Sequence, residues 1–164
     1  MLKLFYFVII GSSISLSFAS NINCRRFSGN LKICPPSLDW VAIDGNKSNS
    51  ETGRVWFHKK RKDSNINTML VTQDKSNNFS LWSNYISYAK ELFTKRNFKI
   101  VAENTVNKNL TILKLATPDM KLQFFQGYQK VGNNTWTMSC MGPHQKIILN
   151  DCPTFMKNLQ TISE

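Results

Sequence analysis

Histidine is nearly absent from this chain: His58 and His144 are the only two among 164 residues. Carboxylates are scarce as well, ten against 21 lysines and arginines, and they are scattered with no calcium-loop cluster. There is no Gly-x-Ser-x-Gly nucleophile elbow and no Gly-x-x-x-x-Gly-Lys phosphate loop. The cysteines never stand as Cys-x-x-Cys, which with two histidines leaves little from which to build a zinc site. Past the first twenty residues no apolar run approaches the ~20 needed to cross a bilayer. These absences exclude the common hydrolase and nucleotide-binding signatures and call for no cofactor.

Residues 1–19 read as a cleavable signal peptide. Lys3 gives the positive start, Leu4 to Ile10 the short apolar core, and Ser17-Phe18-Ala19 the small residues read by a signal peptidase. Export is therefore expected, to a periplasm or the extracellular space. The remainder, residues 20–164, suits one domain, large enough for a core of its own. All four cysteines lie in this part, and an even count in an oxidising compartment favours two disulfides. Three pairings are possible. Proximity favours Cys24 with Cys34 and Cys140 with Cys152, the first making residues 20–37 a disulfide-tied lead-in.

The exported part keeps 20 basic residues against ten acidic ones. Such a balance favours an acidic protein or another polyanionic surface as partner, with nucleic acid a weaker fit; it also serves plain solubility. The densest run is Lys59-Lys60-Arg61-Lys62, expected at a hairpin tip with Arg54 and His58 alongside on the preceding strand. It reads either as a docking patch or as a solvated loop. His58 and Lys60 also start a phosphodiesterase-like His-x-Lys pattern, but Asn65 stands where the Asp is required. A small ribonuclease-like hydrolase using His58 and His144 is the catalytic alternative. Four Asn-x-Ser/Thr sequons, at Asn46, Asn78, Asn109 and Asn133, are about what chance gives in a chain so rich in Asn, Ser and Thr.

Strand signals cover 38–43, 53–59 and 66–72, separated by polar loops. A helix is predicted over Leu81–Arg96, with Ser80 as N-cap and Asn97 as a left-handed stop. Its stripe of Trp82, Tyr85, Ile86, Ala89 and Phe93 repeats at helical spacing. Further strands are predicted from Phe98, over Leu110–Ala116 (apolar on both faces), over Met120–Phe124, and after a Gly132-Asn133-Asn134 turn. In the last of these Trp136, Met138 and Cys140 share a face. Lys146–Leu149 reads as an edge strand. A closing helix follows, capped by Asp151 with Pro153 in its first turn and Phe155, Leu159 and Ile162 inward. The expected fold is α+β, a twisted antiparallel sheet covered by helices in one domain.

This order of elements, from "SLDWVAI" through "SLWSNYISYAKELF", "NFKIVAENTVNKNLTILKL" and "NNTWTMSC" to "FMKNLQTIS", resembles the PsbP-like group. That group includes photosystem extrinsic proteins, the Mog-type nuclear-transport factor and bacterial envelope relatives. The resemblance spans Leu38 to Ser163 and implies an α/β/α sandwich with a non-enzymatic binding or assembly role. The two cysteine pairs stand outside the group's pattern.

Overall fold

A computed structural model describes residues 24–26, 31–43, 53–58, 66–74 and 79–161; the expected signal peptide, residues 1–19, lies outside them. Two antiparallel meanders make up the main sheet. The first is β3 (Trp40–Ile43), β4 (Gly53–His58) and β5 (Thr68–Asp74). The second is β6 (Lys99–Asn107), β7 (Leu110–Ala116), β8 (Gln123–Val131) and β9 (Asn134–Met141). β9 returns to pair with β5, so the seven strands run β3-β4-β5-β9-β8-β7-β6. The β8–β9 hairpin closes on the two residues Gly132 and Asn133, with Val131 opposite Asn134. Gly132 has φ +58°, the sign that a tight two-residue hairpin asks of its first central position.

Helix α1 (Trp82–Lys95) crosses between the meanders and packs on one face. Its stripe buries Tyr85, Ile86 and Ala89 with Leu113, Leu115 and Tyr128 of the sheet, and Trp82 and Phe93 lie against them. Ser80 is not its cap. Leu81 holds the N-cap position in extended geometry, with no side-chain hydrogen bond. The C-terminal stop is the expected one, with Asn97 at φ +62°.

Helix α2 (Gln145–Lys157) covers the opposite face, and here the structure corrects the sequence reading. Lys146–Leu149 is the first turn of α2, not an edge strand, so Asp151 and Pro153 sit inside the helix. Ile148, Cys152, Phe155 and Met156 are the buried stripe, spaced i, i+4, i+7 and i+8 straight across the proline. Asp151 accepts a 2.9 Å hydrogen bond from Trp40 Nε1 instead of capping. The helix stops at Asn158, and Leu159 belongs to β10 (Leu159–Thr161). Ile162 lies outside the described residues. The Met120–Phe124 strand is corrected too: Met120 has φ +61° in a turn, and β8 starts at Gln123.

β10 joins β1 (Arg25–Arg26) and β2 (Leu31–Ile33) in a second sheet of order β1-β2-β10. The lead-in is therefore built into the fold, with Leu31 and Ile33 in the same core as α2. Both disulfides form as proximity favoured, Cys24–Cys34 and Cys140–Cys152. The second fastens β9 to α2.

Candidate functional site

The chain's last helical turn in α1 creates the site. Asn97 N–H donates to Thr94 O and Phe98 N–H to Phe93 O, at 2.9 and 3.0 Å. This is the paired stop of a Schellman motif, and the apolar contact that accompanies it is the Phe93–Phe98 ring pair, 6.1 Å apart. Phe124 of β8 completes the trio, edge-on to Phe98 at 5.1 Å. Arg96, the C-cap residue, is exposed and falls between Phe93 and Phe98 in the chain.

Beneath this wall lies a groove of about 870 Å³. Its floor is the α1 face of the sheet, where Thr68, Gln126, Ser139 and Met141 come from three adjacent strands. Ser139 Oγ and Gln126 Oε1 are joined at 2.5 Å, so the floor's polar groups are oriented by each other. Ile66 and Pro143 close one side, Thr117 and Leu122 the other.

Two loops hold these rims. Thr117 N–H donates to Leu122 O at 2.9 Å, and Thr117 Oγ1 donates to Asp119 Oδ1 at 2.6 Å. The Thr117 hydroxyl and the Lys121 backbone N–H keep the Asp119 carboxyl below its ordinary pKa. On the other rim Asn67, fully buried, ties the β4–β5 junction to the start of α2. Its backbone carbonyl accepts from His58 N–H and its Oδ1 from His144 N–H, both at 3.0 Å. Gly142 must be glycine there, because a Cβ would run into Asn67.

A smaller cavity of about 190 Å³ continues along α1 and shares Phe93, Arg96 and Gln126 with the groove. Asp74 lines it and accepts from Tyr85 Oη at 2.8 Å. Burial first, then that hydrogen bond and the carboxylate's charge, push the Tyr85 hydroxyl far above its usual pKa. Burial and the same charge raise Tyr128.

Lys59, Lys60, Arg61 and Lys62 lie outside the described residues. Arg54 is in β4, opposite Val71 of β5. His58 is 4% exposed, on the α2 face, edge-on to Trp40 at 5.3 Å. His144, half-buried, holds the N-cap position of α2. The hydrogen bonds to Asn67 bring the backbones of His58 and His144 together. The groove itself went unseen in sequence because Thr68, Phe93 and Ser139 come from three separate elements. Only Arg96-Asn97-Phe98, a helix stop flanked by aromatics, carried a local signal. No protein-family model matches the chain, and no curated protein matches it.

Proposed function

We propose that this chain is an exported, non-catalytic binding protein with a basic surface, and that it holds a small, largely apolar molecule in the groove under α1. The observation that carries this is the groove's composition. It joins an aromatic trio and Met141 to a few convergent hydroxyl and amide groups, the make-up of a small-molecule site. Its described lining offers no carboxylate, imidazole or thiol to act as acid, base or nucleophile. Two disulfides are consistent with export, and among the described residues no helix is long and apolar enough to cross a membrane.

The proposal extends to a PsbP-like relationship, supported by the order of elements and by a helix on each face of an antiparallel sheet. The excess of basic residues supports an acidic or otherwise polyanionic partner for the outer surface.

Uptake of the neutral dye N-phenyl-1-naphthylamine tests the groove. A blue-shifted, saturable signal of one dye per chain is expected, with loss in Thr68→Phe, which fills the floor. No uptake, or equal uptake by that variant, would sink the reading.

A further inference from the structure

The groove has a polarity that narrows its ligand. Arg96 is the sole formally charged residue in its described lining, and it stands at the end where the aromatic trio begins. One acid, Asp74, lines the adjoining cavity that Arg96 shares, and its carboxylate is engaged by Tyr85. Among the described residues Arg96 has no ion-pair partner; the described bridges of α1 belong to Lys90 and Lys95. A cation at a helix C-terminus suits the dipole, but that alone does not call for an aromatic cluster lining the same groove.

Building on the groove reading above, we propose that the ligand is an amphiphilic monocarboxylate. Its carboxylate would pair with the Arg96 guanidinium, a planar fork matched to two carboxylate oxygens. Its apolar body would lie over Phe93, Phe98 and Phe124 toward Met141. The Gln126–Ser139 pair on the floor gives the body a neutral surface that repels neither end.

Dodecanoate, dodecanol and dodecyltrimethylammonium, titrated by calorimetry below the micelle concentrations of the two ions and the solubility limit of the alcohol, share one body and differ in the head. The expected result is that dodecanoate binds about tenfold or more tightly than dodecanol, the effect of one charge-assisted hydrogen-bonded pair, and the ammonium most weakly. Arg96→Gln should erase that preference while leaving dodecanol binding as it was. Lys157→Gln, an exposed cation on α2, should leave the preference intact; an equal loss there would assign the effect to net charge and overturn the role of Arg96. Equal affinity for carboxylate and alcohol would reject the ligand class and keep the groove. Binding of neither, or binding undiminished in a folded Thr68→Phe protein, would reject the groove itself. Should Thr68→Phe fail to fold, Met141→Trp, at the exposed end of the same floor, provides the same block.

Discussion

The two faces of the seven-stranded sheet are covered in different ways. On the α2 face, seventeen described residues form one buried cluster, including three tryptophans, the Cys140–Cys152 bridge and apolar residues of the second sheet. On the α1 face the buried apolar cluster has six described residues, and beyond Phe93 the helix ends and the floor turns to Thr68, Gln126 and Ser139. The chain thus concentrates stability on one side and leaves a cavity on the other. Both sides come from the same strands, because alternate residues of a strand point to opposite faces. In β9, Trp136, Met138 and Cys140 go to α2 while Thr137 and Ser139 face the cavities.

Substitutions on the two faces should separate these roles, with the largest effect expected on the α2 side. Phe155 is fully buried with its ring edge-on to Trp40 and Trp56, each 5.3 Å away. Phe155→Ala should cost about 3–5 kcal/mol in urea unfolding. A loss below about 1 kcal/mol would mean that α2 does not anchor the core. Next, replacing Cys140 and Cys152 together by alanine removes a bridge across twelve positions and should cost about 3 kcal/mol. If the double variant melted with the parent, the faces would differ less than their burial indicates.

On the α1 side, Ile86→Ala should cost about 2 kcal/mol, the low end for such a truncation, because neighbouring cavities let the site relax. It should also speed amide exchange in α1 more than in α2. Equal acceleration in both helices would show one cooperative unit, not a firm face and a yielding one.

What was legible in the sequence follows the same division. α1 could be read because its apolar positions keep a single helical period and Asn97 ends it. β7 could be read because Leu110 to Ala116 is apolar on both faces, as a strand between two helices must be. α2 was misread because Pro153 after Asp151 imitates a helix start, and Ile147-Ile148 imitates a strand. A proline inside a helix removes one backbone donor; here the burial of Ile148, Cys152, Phe155 and Met156 and the bridge to β9 outweigh that. The groove was illegible for another reason. A basic run such as Lys59 to Lys62 announces itself locally, while a cavity is a relation between Phe93, Ser139 and Thr68 that exists only once β5 has paired with β9.

The smallest effect concerns pH and again distinguishes the faces. Tyr128, edge-on to Tyr85 at 5.5 Å, is held neutral in the folded chain by burial and then by the charge of Asp74. Its folded pKa is thus raised above the ordinary 10.0, the value it regains on unfolding. Below pH 10 both states keep the proton and stability is unaffected. Above it the unfolded chain releases the proton while the folded chain retains it, so stability falls as pH rises. One pH unit beyond that point the loss is about 1.4 kcal/mol for a single such group. Tyr128→Phe keeps the ring and removes the ionisation, so the fall in urea midpoint between pH 8 and pH 11 should shrink by about that much. Lysine titration is common to both proteins and cancels. An identical alkaline loss in the variant would mean that the Tyr128 hydroxyl ionises in the folded state, and that water reaches further under α1 than its packing against Leu113 and Leu115 allows.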